Sequence, residues 1–437
     1  MFNRLVTSGE YILYRKAIWL YLFLLIFEGA LRKWFLPALA TPLLVVRDPI
    51  VIWLVLVGLQ KKWLNNGYVI AMIAAGTVSL LLTLTIGHQN LLTAFFGWRI
   101  YFFYFPFIFV IGKVLTRDDL LKMGRFVLYL SIPMTILIVM QFYSPQSAWV
   151  NRGVGGDMEG AGFGGALGYF RPPGTFSFTS GYTTFQLVVA CFLAYYLLAN
   201  KTLERSRQVK PWSLWIVLMC YIISIPYSIS RGLFFQTAVV LAFLLLSGLW
   251  YKKFNRKMVS LSLLIALAVG VILLTGIADE SYKAFSARYE DANEAEGGVA
   301  KGVIGNRYIG SLIYGLYNDN AQFLGSGLGL GTNVGAKIAG SRVFFYGEGE
   351  WGRIIGECGL LLGWVIIAVR CLFSWAVFKN AFRRLQKRQD LLPWILSSGM
   401  LLIVPQGQMG TPTNLGVLVF MGGIALAAVN HRENYQD

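Results

Sequence analysis

Residues 344–375 read FFYGEGEWGRIIGECGLLLGWVIIAVRCLFSW, in which two glutamates, an arginine and a third glutamate stand immediately before a long apolar run. A spanning helix needs about 20 mostly apolar residues to cross roughly 30 Å of hydrocarbon, and residues 352–375 supply them. The same reading extends outward in both directions. Apolar segments of spanning length lie near 17–36, 42–60, 68–86, 92–112, 121–143, 175–198, 211–229, 231–249, 258–278, 391–405 and 413–430, which with the first makes about twelve. Of the 437 residues, 56% are hydrophobic and only 14% charged, outside the soluble globular average. The sequence predicts an all-α polytopic integral membrane protein with a single transmembrane domain over 1–437.

The formal net charge is +17. Nucleic-acid binding would gather such charge on one soluble face, whereas here it sits in short connections between spans. Arg4, Arg15 and Lys16, then Lys61 and Lys62, then Lys113, Arg117, Lys122 and Arg125 fall in every second connection. Lys201, Arg205, Arg207 and Lys210, then Lys252, Lys253, Arg256 and Lys257, then Lys379, Arg383, Arg384, Lys387 and Arg388 continue the alternation. The positive-inside rule places these links and both termini in the cytoplasm. Ala38-Leu39-Ala40 superficially matches a cleavage site, but Arg32 and Lys33 interrupt the apolar path to it, so the first helix reads as uncleaved. Cys191, Cys220, Cys358 and Cys371 all fall in apolar segments without metal-like spacing, and read as small buried hydrophobes.

The alternation leaves two substantial outward segments, the extracytoplasmic loop 144–174 and a large extracytoplasmic loop over 279–351 between spans nine and ten. Both are rich in glycine, and each stretch taken alone reads as flexible loop. GSGLGLGTNVG, Gly325 to Gly335, is no phosphate-binding loop, because no Lys-Ser/Thr follows it and no strand precedes it. Asp279 to Glu296 carries six carboxylates that could hold a divalent cation, and reads more simply as a solvated acidic loop. Asp118 and Asp119 sit among basic residues, where they would cap a helix at Thr116. The only histidines, His88 and His431, cannot build a histidine metal cluster.

Three outward arginines lie at helix ends, where an anion can reach them without entering hydrocarbon: Arg171 in RPPGTFSFTSGY, Arg231 in the short turn SISRG, and Arg307. A permanent guanidinium at a tight hairpin tip is costly unless it snorkels to headgroups or meets an anion. Its fork matches phosphate bidentately, so converging arginines would suit a diphosphate. In the opening stretch, Glu350, Arg353 and Glu357 are spaced i, i+3 and i+7 and share a helical face, while Glu348 precedes it. They read either as an ion-pair ladder or as a source for a general base, Glu348 or Glu350, taking a proton from an attacking hydroxyl.

Taken in order, RPPGTFSFTSGY, SISRG, the arginines of FSARYE and GNRYIG, and FLGSGLGLG followed by EWGRIIGECGLLLG resemble the O-antigen ligase and polysaccharide polymerase superfamily, over roughly residues 165 to 370. Members are polytopic envelope glycosyltransferases of GT-C-like architecture that use undecaprenyl-diphosphate-linked glycans outside the membrane. The resemblance implies that Arg171, Arg231, Arg288 and Arg307 contact the diphosphate of the lipid-linked donor, with Arg353 and Glu357 in support and no metal or other cofactor. In the ligase branch a histidine stands about nine residues before the glutamate of the E-x-G-L-x-G segment. Here that position, counted back from Glu357, is Glu348, a departure that favours a polymerase with Glu348 or Glu350 as base. The implied setting is the bacterial cytoplasmic (inner) membrane with the active site extracytoplasmic. The implied partners are undecaprenyl-diphosphate-linked oligosaccharide donor and acceptor, membrane lipid and a chain-length regulator. Two other readings stay open. A ligase would move finished glycan to a lipid or protein acceptor, and a flippase would use ionisable residues near the midplane, for which Glu28, Arg47, Asp48, Arg99 and Arg370 are available.

Overall fold

The structure is a computed structural model in which residues 9–250, 270, 274–276, 278–296, 323–338, 340 and 349–430 are described. Among these residues the structure is mostly helical, with no strand and one isolated bridge, Gly164–Phe170. In chain order the helices are α1 (Gly9–Ala30), α2 (Asp48–Gln60), α3 (Gly67–Thr85), α4 (Leu91–Arg99), α5 (Phe105–Val114), α6 (Arg117–Tyr143), α7 (Thr179–Ala199), α8 (Pro211–Tyr227), α9 (Arg231–Ser247), α10 (Asp279–Glu296), α11 (Asn333–Ile338), α12 (Glu350–Arg388), α13 (Leu391–Ile403) and α14 (Pro412–Asn430). Among the described residues eight helical stretches are long and apolar enough to cross a membrane, and the shorter apolar α9 and α13 accompany them. The expected span at 258–278 lies almost wholly outside the described residues. α7 is the most enclosed helix, followed by the α4–α5 unit and α14. α14 packs chiefly on α5, where Gly423 faces Ile111 without an intervening side chain. Such close backbone approach is how helices associate when lipid is as apolar as their side chains.

The connections sort to two ends. At the basic end Arg117 Nη1 lies 2.9 and 3.0 Å from the two Asp390 oxygens, and Arg15 and Arg207 meet Asp119 and Asp118. The acidic pair there caps α6 as expected, since the Thr116 hydroxyl and the Asp119 carboxylate exchange bonds with each other's backbone N–H. The opposite end carries both glycine-rich segments, the α8–α9 turn and the α13–α14 turn.

Several elements depart from the sequence reading. The span expected over 352–375 is interrupted, because α12 is two helices joined through Gly359, whose φ of 79° and ψ of 173° are not helical. Residues 20 apart in an unbroken helix stand about 30 Å apart. Arg370 Nη1 nevertheless lies 3.0 Å from Glu350 Oε1, and a methyl on Gly363 would come 3.0 Å from Ile355 Cα. Residues 350–358 therefore fold back along the first turns of the spanning leg. α13, with 13 residues, rises about 20 Å and stops short of a 30 Å hydrocarbon core. The turn that follows it, residues 404–411, is non-helical backbone of the kind that a membrane protein tolerates where it is buried in protein or lines a cavity.

Residues 279–296, expected as an acidic loop, form α10. Phe285 and Tyr289, four apart, share the face that meets Phe234 and Phe235 of α9, and this apolar stripe offsets the loss of solvation. The stretch 325–335, expected as flexible, is a strap packed between elements. Ser326 and Gly327 donate backbone N–H bonds to the carbonyls of Gly356 and Glu357, and Leu328 N–H donates to Thr83 Oγ1 at 2.9 Å. His88 receives the Asn90 N–H on Nδ1, so its proton sits on Nε2 and is donated to the Leu328 carbonyl at 2.9 Å. Gly97 and Gly329 bring backbone against backbone, with room for no Cβ on either side.

Candidate functional site

A cavity of about 270 Å³ opens at the glycine-rich end and is lined by Arg171, Arg231 and Arg288 together. Each arginine arrives on a segment whose conformation is locked locally. Arg171 donates its backbone N–H to the Phe163 carbonyl beside the Gly164–Phe170 bridge. Beyond Pro172 and Pro173, the chain turns through Gly174, whose N–H and C=O are both held by the Gln141 carboxamide, at 2.8 and 3.2 Å. Lys33 Nζ donates to the carbonyls of Gly174 and Phe176 at 2.6 and 2.9 Å, so a buried amine ties this turn to the segment that follows α1. Arg231 is the first residue of α9. Ile229 before it adopts a left-handed conformation with φ of 44°, and the Ser230 hydroxyl accepts the Leu233 N–H as the N-cap. Arg288 sits on α10 and donates to the Gly165 carbonyl at 3.4 Å. α10 is further tethered by the Tyr169 hydroxyl, which donates to Glu280 at 3.0 Å; that carboxylate holds the Tyr169 phenol pKa above its ordinary value. The Tyr169 ring stacks on Phe142 at 4.3 Å.

Three helices begin at this cavity. Ser180 belongs to the first turn of α7, Gly232 to that of α9 and Asn414 to that of α14, and all three line it. Backbone N–H groups at a helix start point outward, and the macrodipole adds positive potential there, so anions settle at such ends. Among the described lining residues there are three guanidiniums and no carboxylate. The described lining therefore concentrates positive potential on this cavity.

Glu350, Arg353 and Glu357 form a separate buried network. Arg353 donates to Glu350 through Nε and Nη2 at 3.0 and 2.8 Å, and to Glu357 through Nη1 at 2.7 Å. Arg370 reaches Glu350 from the other leg of α12, and Glu357 Oε1 accepts the Gly331 N–H of the strap at 2.7 Å. All four charged side chains are at most 5% exposed. Among the described residues the network reaches the cavity lining through backbone carbonyls of the α13–α14 turn. Arg370 donates to the carbonyls of Val404 and Gly407, and the Trp351 indole donates to that of Pro405, so both legs of α12 clamp the α13–α14 turn. Gly407 and Gln408 of that turn line the cavity.

Of the residues singled out in the sequence, the structure thus brings Arg171, Arg231 and Arg288 to one cavity, and Glu350, Arg353 and Glu357 to one ion-pair network. Glu348 and Arg307 lie outside the described residues. Sequence reasoning missed Gln236, Gln408 and Asn414, and the pairing of Arg370. Helix-start composition, TPTN at 411–414 and SRG at 230–232, was the available signal for part of this. The other intramembrane charges also sit in pairs: Glu28 accepts from Arg47 at 3.0 Å with Arg32 beside it, and Asp48 pairs with Arg99 and accepts the Tyr104 hydroxyl. No family model matches the chain, and no curated protein matches it.

Proposed function

We propose that this protein is an envelope glycosyltransferase that polymerises undecaprenyl-diphosphate-linked oligosaccharide repeats at the extracytoplasmic face of the bacterial cytoplasmic membrane. The observation that carries this reading is the convergence of Arg171, Arg231 and Arg288 with three helix starts on one cavity free of lining carboxylates among the described residues. A glycosyl diphosphate already holds a good leaving group. The protein need only neutralise charge as the anomeric C–O bond breaks, and orient the acceptor hydroxyl whose oxygen forms the new bond. The departing electron pair stays on the diphosphate beside the guanidiniums, and the hydroxyl proton passes to a base. A single displacement of this kind inverts the anomeric centre.

In this mechanism Glu350 is a positioning residue. Three guanidinium N–H bonds occupy its carboxylate, leaving about one of its four acceptor sites open, and it acts on the cavity through Arg370 and the 404–411 turn. Glu348 remains the candidate base. Pairing of Glu28 and Asp48 with neighbouring arginines, and of Arg370 with Glu350, supports transfer over transport, because a flippase needs ionisable groups that the cargo can engage.

The test is reconstitution of the purified protein with a lipid-diphosphate-linked repeat, without nucleotide or added metal, and resolution of the products by size. A ladder of multiples of the repeat is expected. Unchanged substrate appearing across the bilayer would overturn the reading in favour of transport, and transfer of glycan to a second acceptor without a ladder would favour a ligase. Retained anomeric configuration in the polymer linkage would refute the single displacement.

A further inference from the structure

The cavity holds more than cations. Gln236 Oε1 and Asn414 Oδ1 are buried side-chain oxygens with no hydrogen-bond partner among the described residues, and both residues line it. A buried acceptor left unmet costs about 1–3 kcal/mol, so such atoms mark where something else is to bind. The neighbouring hydroxyls reinforce the pattern. Thr183 donates its proton to the Thr179 carbonyl and Thr184 donates to that of Ser180, so each hydroxyl keeps acceptor capacity, which Thr183 shares with the Ser230 hydroxyl at 3.4 Å. The lining thus sets guanidiniums that only donate beside carboxamides whose buried oxygens are acceptors unmet among the described residues.

A bare phosphate or diphosphate satisfies the first set and leaves the second unmet, since an ionised phosphate brings no donors. An acyl chain satisfies neither. A ligand complementary to both sets carries an anionic end and, next to it, hydroxyl or amide N–H donors. We infer that Gln236 and Asn414 form a sugar-reading subsite beside the arginines, in which their carboxamide oxygens accept from hydroxyl or acetamido groups of the monosaccharide bonded directly to the diphosphate. This rests on the reading of the arginines as a diphosphate site. The cavity size limits what is read: about 270 Å³ lies at the small end for ligand pockets. It encloses the diphosphate and its first sugar, and the outer sugars of a repeat extend beyond it. Gln236 lies on α9 five residues after Arg231, and Asn414 lies on α14, so sugar and phosphate contacts share rigid elements.

The experiment measures binding of the full chain in nanodiscs to a short-chain polyprenyl diphosphate, bare or bearing one hexose or one N-acetylhexosamine. Wild type, Gln236→Met, Asn414→Leu and Arg231→Ala are compared, with unfolding midpoints recorded for each. Wild type is expected to bind a sugar-bearing lipid more tightly than the bare one. Either carboxamide variant should lose about fivefold to tenfold for the sugar-bearing lipid, the worth of one neutral hydrogen bond, and nothing for the bare one. Equal wild-type binding of all three lipids, still dependent on Arg231, would overturn the sugar subsite and leave the diphosphate site standing. A sugar preference undiminished in both variants would likewise overturn the assignment to these residues. Binding of no lipid, or binding indifferent to Arg231→Ala, would bring down the diphosphate reading and the subsite with it.

Discussion

Replacing Glu350 by alanine separates its two roles, as a base and as the hub of an ion-pair network. The substitution removes the acceptor of three N–H bonds at 2.8, 3.0 and 3.0 Å and leaves Arg353 and Arg370 facing each other in the interior. Arg353 keeps Glu357, but Arg370 keeps only backbone carbonyls. Removing one partner of a buried pair typically costs about 3–5 kcal/mol, because the other charge is left uncompensated. Glu350→Ala should therefore lower the unfolding midpoint of the purified protein, followed by tryptophan fluorescence in detergent, along with its activity. Glu350→Gln keeps the shape and one carbonyl acceptor and should lose less. The double variant Glu350→Gln/Arg370→Met removes one charge of each sign, and its cost should fall below the sum of the single changes by about 0.5–3 kcal/mol. A Glu350→Ala protein with a wild-type midpoint and no polymerising activity would refute this reasoning and return the residue to the role of base.

Arg231→Ala should abolish transfer while the protein stays folded in the membrane, and Arg231→Lys should restore only a fraction of it, since an ammonium lacks the bidentate fork; product ladders from the two variants check this. Gly359→Ala should cost at least about 1–2 kcal/mol from its left-handed backbone alone, and more from overlap of the new methyl with the Phe323 carbonyl, read as loss of the monodisperse peak in size-exclusion chromatography. Lys33→Met frees the Phe176 carbonyl, leaves that of Gly174 to Gln141 alone, and should weaken binding of a polyprenyl diphosphate by loosening the turn that follows Arg171, although Lys33 itself lies outside the cavity lining.

The helical, membrane-crossing character was legible because it follows from sums over many residues, the apolar runs of about 20, of which eight are helices of spanning length among the described residues; the basic links in every second connection gave an expected alternation of sides. The same alternation placed Arg171, Arg231 and Arg288 on one side, so their meeting was open to inference even though 117 positions separate the first from the last. What the residues could not disclose was set by single backbone torsions and by neighbours distant in sequence. Helical periodicity paired Arg353 with Glu350 and Glu357 correctly, but it set Arg370 some 30 Å from Glu350, because nothing in a 3.6-residue repeat announces the reversal at Gly359. Glycine density in 325–335 suggested mobility, whereas a side chain at Gly325 would meet the backbone of Gly359, and one at Gly329 the backbone of Thr93 and Gly97. Gln236, inside an apolar helix, was silent in the sequence, and Asn414 was signalled only as part of a helix start, where a carboxamide has many ordinary explanations.

The reversal at Gly359 also bears on how the chain enters the membrane. A lone arginine near the middle of an apolar helix costs about 2.5–3.5 kcal/mol on insertion. Arg370 carries its counter-ion on the same 39-residue helical segment, and Glu350 precedes it in synthesis, so the two can enter as a neutral hairpin before the last two helices are made. Glu28 and Arg47 stand on successive elements only 19 positions apart and offer the same economy at the start of the chain. Arg99 and Asp48, 51 positions apart with α3 between them, do not. Delayed integration of the α4–α5 unit, visible as a late glycosylation-mapping or crosslinking intermediate during translation, is the biogenetic trace this arrangement would leave.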